Sequence, residues 1–190
     1  YEAALDEADA RASIRLCVLE LVKNGVTTFI DAGNYQPHLT AEVAGAAGMR
    51  CVVARSSFDV AASAMGVLPP SFIETTAQAL ERAEWVVREL HGAHDGRVQA
   101  WLQFRGLNNS TDELIVGLKR LADRHGVGVQ THACFARDTM EASQARHGAT
   151  EIERLARLGV LGPHVLLIHV GWATAAELEL LRRHDVKCVA

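Results

Sequence analysis

Apolar residues recur along this chain with two different periods. In residues 3–24 they are spaced three and four positions apart, which predicts an amphipathic helix with the apolar stripe Leu5, Ala8, Ala12, Leu16, Leu19 and Val22. Short runs rich in β-branched residues predict six strands, at residues 26–31, 49–56, 98–104, 127–133, 165–170 and 186–190. Helical patterns lie between these strands. The alternation predicts βα units and a parallel sheet, which is either open or closed into a barrel.

The starts of the later helices carry a repeated signal. A Ser or Thr is followed three positions later by Glu, which is the spacing of a capping box, at Ser71 with Glu74, Ser110 with Glu113, Thr150 with Glu153, and Thr174 with Glu177. Glycines follow several predicted helices, where glycine is favoured as a C-terminal cap, at Gly25, Gly126 and Gly159. A polar loop is expected over residues 57–70.

Composition narrows the class of protein. With 49% hydrophobic and 22% charged residues, the 190-residue chain is expected to fold as one domain over residues 1–190. A formal charge of −4 argues against nucleic acid as the main partner, and homo-oligomerisation is possible. The four cysteines form no C-x-x-C pair, and no apolar run approaches 18 residues. We therefore expect a cytoplasmic protein without a membrane partner.

Two histidines stand where chemistry is expected in a parallel sheet. His132 ends the apolar run VGVQTH, and His169 ends VLLIH. Ligands of parallel α/β proteins gather at the carboxyl ends of strands. The functional interpretation makes His132 a metal ligand and His169 a second ligand or a general base. The alternative is that each imidazole is merely a hydrogen-bonded polar group at a strand end.

Three further side chains are candidates for substrate binding. Gln103 and Arg105 lie at the outer end of the strand VQAWLQFRG, where they either contact a polar substrate or form a buried polar layer. His38 is expected in a loop on the same side of the sheet. Asp31 either orients a loop at the mouth or forms an Asx turn, and the turn is favoured. Cys134 either ligates a soft metal or is a buried thiol, and the buried thiol is favoured.

The runs LVKNGVTTFIDAGN, THAC and ARLGVLGPHVLLIHVGWATAAELELLRRHDVKCVA resemble the amidohydrolase superfamily, in particular its branch of cytosine deaminase-like and triazine hydrolase-like enzymes. The resemblance implies an α/β fold that is a partial (β/α)8 TIM-type barrel with its first and last strands missing. It also implies a divalent metal, zinc, with iron or manganese as alternatives, held at the barrel mouth. His132 and His169 match the histidines of family strands five and six. The family's His-x-His pair and its aspartate have no counterpart here, so the chain is expected to be a central fragment.

One position departs from the family pattern. Deaminases of this family carry His-x-x-Glu on strand five, whereas Phe135 stands at the matching position here. Asp138 either substitutes for the missing glutamate or caps a helix, and the cap is favoured. The resemblance therefore predicts a metal-dependent hydrolase of carbon–nitrogen, non-peptide bonds that acts on a small-molecule substrate. The alternatives are a deaminase of a heterocyclic amine and a non-catalytic remnant.

Overall fold

A computed structural model gives the structure of the chain and describes residues 5–60, 62–63, 66–67 and 72–189. The strands are β1 (Thr28–Ile30), β2 (Arg50–Val53), β3 (Ala62–Ser63), β4 (Gly66–Val67), β5 (Val98–Ala100), β6 (Leu102–Gly106), β7 (Val129–Ala133), β8 (Val165–His169) and β9 (Lys187–Val189). The α-helices are α1 (Glu7–Lys23), α2 (Pro37–Ala46), α3 (Thr76–Leu90), α4 (Asp112–His125), α5 (Arg137–His147), α6 (Glu151–Arg157) and α7 (Ala175–Arg183).

The predicted parallel sheet is confirmed as an arc of strands that pair in chain order. β1, β2 and β5 form one parallel group, and β6, β7, β8 and β9 form another. The two groups are continuous at Trp101, because its N–H donates to Val53 O at 2.9 Å and the next N–H donates to Gly128 O at 3.0 Å. β5 and β6 are thus the two halves of the strand predicted at 98–104. This sequential parallel order is that of a partial (β/α)8 barrel.

The core lies between the arc and the helices that cross its outer face. Strand side chains at its centre are fully or almost fully buried, including Leu102, Phe104, Val129 and Leu167. Helix α4 contributes Leu114, Ile115 and Leu118, each with no exposed area. These spacings of three and four bring one face of α4 against the sheet, as the helical period requires.

The apolar face of α1 is not the one that the sequence pattern suggested. Val18 is the buried residue of this helix, with Ile14 and Leu21 packed against the core. Leu16 and Leu19, which belong to the predicted stripe, are 61% and 53% exposed. The prediction of a helix was confirmed and the prediction of its buried face was wrong, because α1 carries apolar residues on both sides.

Two of the four predicted capping boxes are confirmed, at Thr150 with Glu153 and at Thr174 with Glu177. The signal at Ser110 is one position early, since Thr111 accepts from Leu114 N and begins α4. Ser71 lies outside the described residues. The helix that follows it begins after Thr75, whose side chain pairs with Gln78. Gly126 adopts the left-handed conformation expected of a C-terminal cap, with φ +67°.

Three further observations bear on the predictions for the loop, the cysteines and the membrane. Within residues 57–70, predicted as a loop, β3 and β4 form a minimal antiparallel pair. All four cysteines are free thiols. Among the described residues, no helix combines the length and apolar character that crossing a membrane requires.

Candidate metal centre

The carboxyl ends of β7 and β8 bring His132 and His169 together. Nδ1 of His132 lies 3.3 Å from Nε2 of His169. Their ring centroids are 5.3 Å apart, and the ring planes differ by 26°. His132 is half-buried and His169 is exposed. The pair therefore lies at the mouth of the arc, open to a small molecule from one side.

The nitrogen–nitrogen separation fits two ligands of one metal ion. Two nitrogens bound to tetrahedral zinc at about 2.0–2.1 Å are roughly 3.4 Å apart. The His132 ring also makes a hydrogen bond with the backbone of Ala32, and metal-binding histidines usually use their second ring nitrogen in this way. In the part of the chain that the structure describes, no cluster of three His, Cys, Asp or Glu side chains is arranged to hold a metal. The pair thus fits part of a metal site.

Electrostatics favour the neutral form of His132. Burial lowers its pKa, and the neighbouring His169 and Arg105 lower it further, while the hydrogen bond with the Ala32 backbone acts in the opposite direction. A neutral imidazole is the form that ligates a metal. The environment of His132 therefore suits a ligand at neutral pH.

The backbone departs from a regular strand where the site is formed. His169 has φ +84°, Val170 has φ +53° and Cys134 has φ +53°. Such left-handed values are uncommon for residues with a Cβ and cost most for a β-branched residue. The two turns are bonded to each other: Val170 N donates to Ala133 O, and Trp172 N donates to Cys134 O, each at 3.0 Å. The surrounding hydrogen bonds hold this conformation.

Beneath the histidines, two buried glutamines tie β6 and β7 to the loop after β1. The Gln103 amide donates to Ala32 O at 2.5 Å and accepts from the Gln130 amide at 2.6 Å. Gln130 also donates to Asp31 O at 2.6 Å. Gly33 lies against Gln103 so closely that a Cβ there would be 2.0 Å from its Nε2. For Gln103 the structure favours the buried polar layer over substrate contact.

Arg105 and His38, the other two predicted substrate contacts, lie in different parts of the structure. Arg105 is half-buried, and its guanidinium donates to the Tyr35 hydroxyl and lies 5.9 Å from the centre of that ring. It lines a cleft of about 570 Å³ between α1, β1 and the loop after β1, whose lining does not include the two histidines. His38 was expected in a loop, but it lies in the first turn of α2, is exposed, and interacts with Glu42. Among the described residues, no hydrogen bond or ring contact joins it to the histidine pair.

The aromatic ring of Phe135 lies beside the site, at the position where the family pattern has a carboxylate. The Phe135 ring is 5.8 Å from the His169 ring and is 38% exposed. Trp172 is 53% exposed, and its backbone is bonded to that of Cys134. Asp138 does not cap α5, because the N-cap is Ala136 and Asp138 is exposed in the first turn. The expected cap was wrong, and the ring that contacts His169 at this position is that of Phe135.

Two other sequence expectations are confirmed. The carboxylate of Asp31 accepts from Gly33 N at 2.9 Å, which is the predicted Asx turn. Cys134 is fully buried, and burial raises the pKa of its thiol far above the usual range. It is therefore an unreactive thiol rather than a ligand.

A model of the amidohydrolase family matches residues 2–189, so the chain belongs to the amidohydrolase family. The curated 5'-deoxyadenosine deaminase of Methanothermobacter thermautotrophicus is 27% identical over 186 residues, which are 98% of this chain and 41% of that protein. The chain thus spans about two fifths of the length of the curated relatives it matches.

Solved structures share the fold. An adenosine deaminase from Xanthomonas campestris with bound zinc superposes with a TM-score of 0.85 at 19% identity, over 98% of this chain and 40% of that one. A triazine hydrolase from Arthrobacter aurescens gives a TM-score of 0.85 at 23% identity, over 94% of this chain and 41% of that one. These likenesses show the barrel fold, and the family match confirms the resemblance to the amidohydrolase superfamily.

Proposed function

We propose that this chain supplies two ligands to the divalent-metal centre of a hydrolase that cleaves carbon–nitrogen, non-peptide bonds of a small substrate. The observation that carries the proposal is the 3.3 Å separation of His132 Nδ1 and His169 Nε2. Zinc is the proposed metal, because imidazole nitrogen suits it and the X. campestris adenosine deaminase holds it. Iron and manganese are the alternatives.

The remaining ligands are proposed to come from parts of the complete protein beyond these 190 residues. Catalytic zinc sites use three protein ligands and leave one position open, and the described residues bring two side chains together. Relatives are about two and a half times as long as the matched region. A complete centre and its activity therefore belong to the full-length gene product.

Each residue of the pair has a proposed role. His132 holds the metal with its neutral imidazole, and the Ala32 backbone fixes the direction of that ring. His169 is exposed, so it either completes the ligand pair or takes a proton at Nε2 during hydrolysis. When bound, a divalent metal lowers the pKa of water to about 7 and polarises the electrophile.

Substrate contacts are proposed at the rim. Arg105 supports a polar or anionic group of the substrate, since its charge lies near His132 and the cleft. Gln103 acts through the buried layer, by holding the loop that carries Ala32. The assignment of His38 to substrate stays a prediction, as does a cytoplasmic location.

Deamination of a heterocyclic amine is a second candidate, favoured by the deaminase relatives. Phe135 weighs against it, because a phenyl ring cannot carry a proton to a leaving amine. Hydrolysis of a carbon–nitrogen bond whose leaving group needs less proton assistance fits the Phe135 ring beside His169 better. A non-catalytic remnant is the third possibility.

Assays of the full-length gene product separate these functions. Metal-free protein is reloaded with zinc and tested for ammonia release from heterocyclic amines and for hydrolysis of small amides and ring-substituted triazines. Zinc-dependent hydrolysis that His132→Ala abolishes and that a substitution at the exposed end of α7, His184→Ala, spares would support the proposal. Ammonia release alone would favour the deaminase, and no turnover with any substrate in zinc-loaded protein would favour the remnant.

A further inference from the structure

Glu151, the first residue of α6, has its side chain buried behind the site. It is 2% exposed. Its Oε2 accepts from the backbone N–H of Cys134 at 2.5 Å, and its Oε1 accepts from the Asn108 amide at 3.2 Å. A glutamate in the first turn of a helix is ordinarily solvated, where it interacts with the helix dipole. Here the carboxylate crosses to the turn that follows β7.

Burial of this carboxylate carries a cost. Burial raises the pKa of Glu151 and the nearby Glu177 raises it further, whereas the hydrogen bond from Cys134 N–H and the charge of Arg154 lower it. Burying a carboxylate costs solvation free energy, and hydrogen bonds to the carboxylate offset part of that cost. The bonds it makes therefore indicate its role.

The Glu151 carboxylate holds Cys134, whose backbone has an uncommon left-handed conformation. Cys134 has φ +53°, and both of its backbone groups are bonded, the N–H to Glu151 and the carbonyl to Trp172 N. Cys134 lies between His132 and Phe135 in the chain. The preceding carbonyl, of Ala133, accepts from Val170 N beside His169. The Glu151 carboxylate thus holds the turn after β7, which follows His132 and is bonded to the turn that carries His169.

We propose that Glu151 is a positioning residue, whose hydrogen bond to Cys134 N–H sets the turn that aims His132 and, through the β7–β8 bonds, His169. The role depends on the length and acceptor atom of the side chain rather than on its charge. The part of the proposal that concerns metal affinity rests on the metal-binding function proposed above.

Three variants of the full-length protein test this role. Glu151→Gln keeps the length and one acceptor oxygen for Cys134 N–H, but it loses the charge and the acceptor for the Asn108 amide. Glu151→Asp keeps the charge but is too short by one methylene to make the same bond. Glu153→Ala, on the same helix, removes the capping box with Thr150 without touching Cys134. Zinc affinity is measured by competition with a chromophoric chelator, and the imidazole signals of His132 and His169 are followed by NMR in metal-free protein.

We expect Glu151→Gln to bind zinc within about threefold of the wild type and Glu151→Asp to bind it about 10–100-fold more weakly, with both imidazole signals shifted. Glu153→Ala is expected to lower the melting temperature while leaving affinity and imidazole signals unchanged. Equal affinities for all variants, a weaker Gln than Asp variant, or the same loss in Glu153→Ala would overturn the inference. If the wild type binds no zinc, the proposed function fails, while the imidazole signals of Glu151→Asp still decide the role of Glu151.

Discussion

Nε2 of His169 lies 3.3 Å from Nδ1 of His132, although the register of β7 and β8 pairs His132 with Ile168 and His169 with Ala133. Paired residues of parallel strands share a face, and alternation places the next residue on the opposite face. Regular strands would therefore separate the two imidazoles. The left-handed backbone at His169, φ +84°, ends the strand and turns this side chain toward His132.

This arrangement stores strain at the site. Left-handed residues with a Cβ cost on the order of 1–3 kcal/mol each, and His169 and Val170 are two in succession. The bond from Val170 N to Ala133 O holds them in place. Strain of this kind persists where the surrounding structure enforces it, and it clusters at functional sites.

The fit of Gly33 against Gln103 predicts a large effect of one added methyl group. Gly33→Ala would place a Cβ 2.0 Å from Gln103 Nε2 at φ +95°. We expect the free energy of unfolding to fall by about 3 kcal/mol from the combined backbone strain and overpacking. Urea denaturation measures the change.

Gly48→Ala is the matched control for this substitution. Gly48 has φ +75°, but no atom lies within 4 Å of its added Cβ. It should lose only the conformational part, about 1 kcal/mol. Equal losses in the two variants would show that Gln103 does not press on the loop after β1.

The sequence predicted the parts of the fold that depend on local patterns. Strand positions, the parallel order and the two Thr–Glu caps follow from periodicity and side-chain chemistry within a few residues. The buried face of α1 does not, because Ile14, Val18 and Leu21 compete with Leu16 and Leu19, and only tertiary packing decides between the two faces.

The sequence predicted which histidines form the site but not the backbone turn or the glutamate that hold them. The positions of His132 and His169 at strand ends pointed to their meeting, but the turn that makes them meet is a backbone conformation that no residue type announces. Glu151 was missed because a glutamate after Thr150 reads as an ordinary solvated helix start. Its partner Cys134 is 17 residues away, so only the folded chain shows the contact.

Because Phe135 lies beside His169 where the family pattern has a glutamate, restoring a proton carrier at this position should change the rate of deamination. Phe135→Glu should raise zinc-dependent ammonia release from a heterocyclic amine by about 100-fold, because a positioned general acid–base contributes on that order. Phe135 is 38% exposed, so little stability should be lost. Steady-state ammonia assays give the comparison.

Phe135→Gln separates polarity from proton transfer. It has nearly the size and polarity of the glutamate variant but cannot exchange a proton at this position. We expect it to stay at the wild-type rate. A gain in Phe135→Gln as large as in Phe135→Glu would exclude the proton-carrier explanation.

The exposed apolar stripe of α1 predicts self-association of the 190-residue chain. Leu16 and Leu19 are adjacent on one helix face and are 61% and 53% exposed, and contiguous exposed apolar area favours association. The double variant Leu16→Lys, Leu19→Lys should shift the mass measured by light scattering toward the monomer. Leu178→Lys, at a site 50% exposed on α7, serves as the control. A monomeric wild-type chain at the same concentration would contradict the prediction.

X-ray absorption at the zinc edge of the zinc-loaded full-length protein decides whether the two imidazoles share one metal ion. We expect a first shell near 2.0–2.1 Å with multiple scattering from imidazole rings, and loss of one ring contribution in His132→Ala and in His169→Ala separately. A first shell that keeps its full imidazole scattering in His132→Ala, or that contains no imidazole in the wild type, would contradict a shared ion.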